Sequence, residues 1–149
     1  MKRIMGIDYG RARIGVALSD ELQMLAHPAE TIAAGKGPDP VARIAALAQE
    51  KDVERIVVGL PRHMNGTSGE SAREAMSFAE KLRTRVSCEV CTWDERLSTV
   101  AAQRSLREAG KSTRETRNYI DQVAAQILLQ SYLDSLQLNP GGAEPKSFA

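Results

Sequence analysis

The chain has 149 residues, a net charge of +1, 42% apolar and 26% charged residues. That length suits one domain, and the composition is that of a soluble globular protein able to bury a real core. It contains no apolar run of 18 residues, so no membrane span is expected. Met1-Lys2-Arg3-Ile4 leads straight into a strand-like run without a secretory apolar region, which makes the cytoplasm the expected location. Aromatic residues are only 4%, so aliphatic side chains must fill the core.

Residues 3–9 read as a strand and Ile14 to Ser19 as a second; the short connection through Gly10 favours an antiparallel hairpin. A third strand is expected from Ala26 to Ile32, with Pro28 pushing it to a sheet edge. Asp39-Pro40 is an N-cap followed by a first-turn proline. Val41, Ile44, Ala45, Leu47 and Ala48 then recur at helical spacing, so residues 40–51 should form an amphipathic helix. Arg55 to Leu60 is nearly all apolar, as in a strand buried on both faces of a parallel sheet. Pro61 ends it, and residues 61–69 form a loop.

Thr67-x-x-Glu70 is a capping box expected to open a helix that buries Ala72, Ala75, Met76, Ala79 and Leu82. A strand from Cys88 to Glu95 follows. Ser98 or Thr99 should cap a helix running to about Glu108, and Ser112-x-x-Glu115 should open a last helix carrying Ile120, Ala124, Ile127, Leu128, Tyr132 and Leu136. The expected order is β-β-β-α-β-α-β-α-α, an α/β domain over residues 1–138 with a mixed, helix-flanked sheet. The tail 139–149, rich in Pro and Gly, is expected to be disordered.

Three acids stand out. Asp8 and Glu95 end apolar strands, where sites collect in α/β sheets. Asp121 has Ala124, Ala125, Leu128 and Tyr132 at i+3, i+4, i+7 and i+11, so it shares the core-facing stripe of its helix. Each acid alone has a bland explanation: a local turn bond for Asp8, an ion pair with Arg96 for Glu95, one with Arg117 for Asp121. Together they point to a site for a hard divalent cation and so to phosphate chemistry. Two carboxylates ~4 Å apart repel by roughly 4 kcal/mol at an effective dielectric near 20, so such a cluster is a burden on the fold. Cys88 and Cys91 form a C-x-x-C, but three residues along a strand place them on opposite faces ~10 Å apart, too far for a disulfide. Neither His27 nor His63 has the spacing to complete a zinc site, so two reduced thiols are expected.

The motifs Gly6-Ile7-Asp8-Tyr9-Gly10-x-x-Arg13-Ile14-Gly15-Val16-Ala17, Val57-Val58-Gly59-Leu60-Pro61, Gly66-Thr67, Asp94-Glu95-Arg96-Leu97-Ser98-Thr99 and Asp121-x-x-Ala124-Ala125 occur in this order. The set, spread over residues 3–136, resembles the YqgF family, described as pre-16S rRNA nucleases and as Holliday-junction-resolvase-like proteins. The resemblance implies a ribonuclease-H-like fold with a five-stranded sheet whose first three strands are antiparallel. It implies that Asp8, Glu95 and Asp121 are the catalytic, metal-binding acids, with Mg²⁺ or Mn²⁺ as cofactor. After Pro61 the family commonly has Leu-Asn-Met-Asp-Gly-Thr, whereas this chain has Arg62-His63-Met64-Asn65-Gly66-Thr67. The loop is therefore more cationic and lacks one acid, and Asn65 is given no metal role; His63 is read as a surface loop residue rather than a proton shuttle.

The implied reaction is phosphodiester hydrolysis, most directly at the 5′ end of pre-16S rRNA. Asp8 would be the central ligand, with Glu95 and Asp121 on either side. Six basic residues from Arg96 to Arg117 face only two acids, a local net charge of +4 between two proposed catalytic elements. Arg11, Arg13, Arg96, Lys111, Arg114 and Arg117 are the expected nucleic-acid contacts, made to the backbone of structured RNA or branched DNA. Tyr9, Trp93 and Tyr119 are too scattered in sequence to build a stacking platform. The alternatives are a Holliday-junction resolvase, which needs a dimer with two sites, and a non-catalytic RNA-binding module. The Asp8-x-Gly10 hairpin also resembles the phosphate loop of actin-like ATPases, but 149 residues leave no room for their second lobe. A monomer or a weak homodimer is expected.

Overall fold

A computed structural model of the chain describes residues 2–35, 37–61, 69–95 and 114–138. Strands β1 (Arg3–Tyr9), β2 (Arg13–Ser19) and β3 (Ala26–Ala33) come first, followed by α1 (Pro40–Glu50), β4 (Val53–Leu60), α2 (Glu70–Arg83), β5 (Glu89–Asp94) and α3 (Arg114–Leu138). The expected helix from Ser98 to Glu108, the Ser112 cap and the 139–149 tail lie outside the described residues.

The strands form one sheet in the order β3-β2-β1-β4-β5. β1 pairs antiparallel with β2, and β2 with β3. β1 pairs parallel with β4, and β4 with β5. The mixed five-stranded sheet with an antiparallel opening is the one expected. β3 is an edge strand, and its register shifts where Ala17 meets Pro28, because proline has no N–H for the ladder.

Strand alternation divides the core in two. Met5, Ile7, Ile14, Val16, Ile56, Val58 and Val90 pack on one face against Val41, Ile44 and Leu47 of α1 and Phe78, Ala79 and Leu82 of α2. Ile4, Ala17, Val57 and Trp93 pack on the other against Ala124, Ala125, Leu128, Leu129, Tyr132 and Leu133 of α3. Each large aliphatic side chain buried there contributes roughly 1.5–3 kcal/mol. Tyr9 packs on Phe78 with ring centroids 4.8 Å apart, and Trp93 meets Tyr132 edge-on at 5.4 Å. Both rings thus serve the core.

The helix ends follow local chemistry with one departure. The Asp39 side chain accepts a hydrogen bond from Val41 N at 3.0 Å, with Pro40 in the first turn, as its sequence dictates. α2, however, begins at Glu70 with Gly69 as its extended N-cap, two residues later than the Thr67 box implies. Among the described residues no side chain caps it; Glu70 in the first turn still meets the positive end of the helix dipole. Neither Cys88 nor Cys91 is in a disulfide, and both are half-buried, as expected.

Among the described glycines, Gly6 and Gly15 both let α3 approach the sheet closely, Gly15 most of all. A Cβ placed on Gly15 would sit 2.0 Å from the backbone oxygen of Asp121. Two backbones meet there, and neither can yield as a flexible side chain would. Gly15→Ala should therefore destabilise the fold by about 1–3 kcal/mol, since overpacking against a rigid neighbour forces the helix off the sheet. Urea unfolding measures this; a loss under about 0.5 kcal/mol would contradict such close contact.

Candidate active site

Asp8 is near the end of β1, the central strand, and is 5% exposed. Its directly opposed partner in β2 is Gly15. Directly opposed residues of an antiparallel pair point to the same face. Since Gly15 faces α3, so does Asp8. The bare Gly15 backbone also admits the Asp121 peptide, which places that peptide roughly 7 Å from the root of the Asp8 side chain.

Glu95 arrives from the other side. β1 and β4 are in register through Ile7 and Val58, so the next residues along, Asp8 and Gly59, lie side by side. Gly59 is in turn level with Trp93 of β5, and Glu95 follows two residues on, on the same face. A Cβ on Gly59 would lie 3.2 Å from Oε1 of Glu95 and 2.8 Å from Cδ2 of Leu128. The Glu95 carboxylate therefore bends back over β4 towards Asp8. With strands about 4.8 Å apart, that oxygen is within roughly 8 Å of the Asp8 side-chain root.

Glu95 and Asp121 are each 4% exposed. Three carboxylates, from β1, from α3 and from the residue that follows β5, are thus buried on one face of the sheet, around its central strand. Asp94 is equally buried, but alternation turns it to the α1–α2 face, away from the three. The arrangement stops short of a closed ligand set: among the described residues, no three His, Cys, Asp or Glu side chains are close enough to hold one ion. Asp121 is paired with Arg13, whose Nε donates to Oδ2 at 2.6 Å. Arg13 thus pairs with Asp121 from β2, 108 residues away in sequence.

Among the expected nucleic-acid contacts, Arg13 and Arg117 line one cavity of about 240 Å³, together with Thr31, Ala33 and Asn118. Arg11 faces α2 instead, with Nε donating to Glu74 at 3.0 Å and an ion pair to Glu70 at 3.3 Å. Arg96 and Lys111 lie outside the described residues, as does the side chain of Arg114 and the whole loop holding His63. A larger cavity, about 620 Å³, lies at the other end of β1 beside Arg3, Ser19, His27 and Lys51. It contains none of the three acids, and size alone does not make it the site.

Sequence reasoning did not single out Gly15 and Gly59 as shapers of the site. Their signal was present: glycines inside strands mark close approach by another backbone or side chain. The partners of those approaches could not be read from the pattern. As donors, three carboxylates without nitrogen or sulfur ligands fit a hard divalent cation, and the Gly59 surface leaves room for Glu95 to take part.

This sheet, with its antiparallel opening and buried acids around the first strand, defines an α/β domain of the ribonuclease-H-like class. Two solved structures share that fold. RuvC of Thermus thermophilus, solved in complex with a Holliday junction substrate, superposes with a TM-score of 0.54 at 14% identity, covering 98% of this chain and 100% of that one. The fowlpox virus Holliday junction resolvase gives 0.51 at 13% identity, covering 90% and 99%. Closer in sequence is a protein of Geobacillus kaustophilus named "Putative pre-16S rRNA nuclease", 47% identical over 135 residues, 89% of this chain and 98% of that protein. One of the same name from Desulforamulus reducens is 44% identical over 133 residues, covering 89% and 97%. The family pattern of RuvX, described as Holliday junction resolvase, matches residues 2–135, and the chain belongs to that family.

The buried acids set the first test of the site. Asp8→Asn removes one of three like charges, so in EDTA its melting temperature should rise, by about 2–4 °C for each kcal/mol relieved. Mn²⁺ should raise the melting temperature of the wild type and leave that of Asp8→Asn unmoved. A destabilised variant, together with a wild type indifferent to Mn²⁺, would make the acids structural.

Proposed function

We propose that this chain is a divalent-metal-dependent nuclease that hydrolyses phosphodiester bonds in structured nucleic acid, with the 5′ end of pre-16S rRNA as its substrate. The observation that carries this reading is the burial of Asp8 of β1, Asp121 of α3 and Glu95, directly after β5, on one face of the sheet. Folding alone gives no reason to gather three negative charges there. The names of relatives with 44–47% identity support the nuclease class and the rRNA substrate.

Asp8, Glu95 and Asp121 would hold Mg²⁺ or Mn²⁺, which when bound lowers the pKa of an attacking water and stabilises the leaving oxygen. Asp8, on the central strand, would be the central ligand; Glu95 approaches across Gly59, and Asp121 across Gly15. Hydrolysis with a 3′-oxygen leaving group gives a 5′-phosphate product. Arg13 and Arg117 contact the backbone of the substrate at their shared cavity, and Arg96, Lys111 and Arg114 are further backbone contacts suggested by their charge in the sequence. Arg11 joins only on leaving its α2 partners. Phosphate contacts of this kind position a substrate by shape rather than by base sequence and weaken with salt. Residues 1–138 form the nuclease unit. The protein acts in the cytoplasm, as a monomer or weak homodimer.

The family description favours one second reading, cleavage of four-way DNA junctions. It requires two sites in a dimer, so that paired cuts resolve the junction.

Cleavage assays separate the readings. Purified protein with Mn²⁺ is given a structured RNA spanning the 5′ flank of 16S rRNA, or a four-way DNA junction. The wild type should cut the RNA to leave 5′-phosphates, and Asp8→Asn, Glu95→Gln and Asp121→Asn should each be slower by about 100-fold or more, roughly 2.7 kcal/mol in barrier. Preferential, symmetric cutting of the junction selects the second reading. Equal cleavage by wild type and Asp8→Asn rejects the site.

A further inference from the structure

We propose that Arg13 is an exchangeable counter-cation: it neutralises Asp121 until a divalent cation binds, and is then released to the substrate phosphate in the cavity it shares with Arg117. The inference rests on the metal-dependent reading above and adds a regulatory step to it, coupling of metal binding to substrate binding.

Four observations carry it. Asp121 is 4% exposed, so its charge needs a nearby cation. Arg13 supplies one at 2.6 Å, through Nε. The guanidinium is not locked in the core, because the Arg13 side chain is 31% exposed. The same side chain lines the 240 Å³ cavity with Arg117, Thr31, Ala33 and Asn118, a lining that among the described residues has two guanidinium groups and no carboxylate. An anion fits such a cavity, and the fork of an arginine suits a phosphate. One of the two cations is nevertheless engaged with Asp121.

Both partners therefore compete for Arg13. A cation on the Asp121 carboxylate weakens its hold on the guanidinium, and a phosphate that attracts the guanidinium frees the carboxylate for the cation. No bond is made or broken; the exchange is electrostatic. Linkage makes the effect reciprocal: metal tightens nucleic-acid binding by the same factor by which nucleic acid tightens metal binding. Arg11 provides the comparison. It carries the same charge but is tied to Glu70 and Glu74, away from the three acids.

The test uses the full-length protein and Mn²⁺ alone, followed by calorimetric titration. Arg13→Gln should bind Mn²⁺ more tightly than the wild type, by about 3- to 10-fold, while Arg11→Gln should not change. Arg13→Lys should lie between. A merely structural role would weaken Mn²⁺ binding or leave it unaltered. In EDTA, Arg13→Gln should lower the melting temperature, and this penalty should vanish in an Asp121→Asn background, where no buried charge needs a partner. With Ca²⁺ and a fluorescent RNA hairpin at fixed salt, Ca²⁺ should strengthen hairpin binding by the wild type about tenfold and by Arg13→Gln far less. Equal Mn²⁺ affinity in wild type and Arg13→Gln overturns the exchange and leaves the metal reading standing. Absence of Mn²⁺ binding by both overturns the metal reading and the exchange with it.

Discussion

Negative charge gathered under α3 is the constraint on which the rest of the molecule turns. Asp8, Glu95 and Asp121 are each about as buried as the aliphatic residues around them, yet carboxylates lose far more on leaving water. A fold tolerates such a group only when a cation or a set of donors compensates it. Arg13 does this for Asp121. A shared divalent cation would do it for all three, and it is the hard-oxygen donor set that makes this compensation chemically apt.

The sheet brings these groups together by topology. Placing β1 in the centre gives it an antiparallel neighbour on one side and a parallel one on the other. Asp8 consequently has Gly15 opposite it in β2 and Gly59 beside it in β4. Both neighbours lack a side chain. Through the first gap the backbone of α3 reaches the sheet, and over the second the carboxylate of Glu95 bends inward. The apolar stripe of α3, from Ala124 to Leu133, supplies the packing that holds this close approach. Stability and site geometry thus depend on the same contacts.

Much of this was legible from residue order. Apolar runs marked the strands, and Asp39-Pro40 marked the start of α1. The position of Asp121 on an otherwise apolar stripe correctly placed an acid against the sheet. Other features depend on partners distant in sequence. The Arg13–Asp121 pair joins residues 108 apart, and local spacing instead suggested Arg117 as the partner. Arg11 had the look of a phosphate contact, but the start of α2 brings Glu70 and Glu74 to it. That start itself was misjudged, because Gly69 can cap a helix without a side chain, where the pattern favoured Thr67. Glycines inside strands announce close contact without naming what makes it.

The measurement that bears most directly on the role of the three acids is the anomalous scattering of Mn²⁺ in crystals of the protein. The account predicts an Mn²⁺ peak about 2.0–2.3 Å from an Asp8 oxygen, with Glu95 or Asp121 also coordinating and Arg13 displaced from Asp121. Mn²⁺ bound only elsewhere, or absent from this face at saturating concentration, would contradict it.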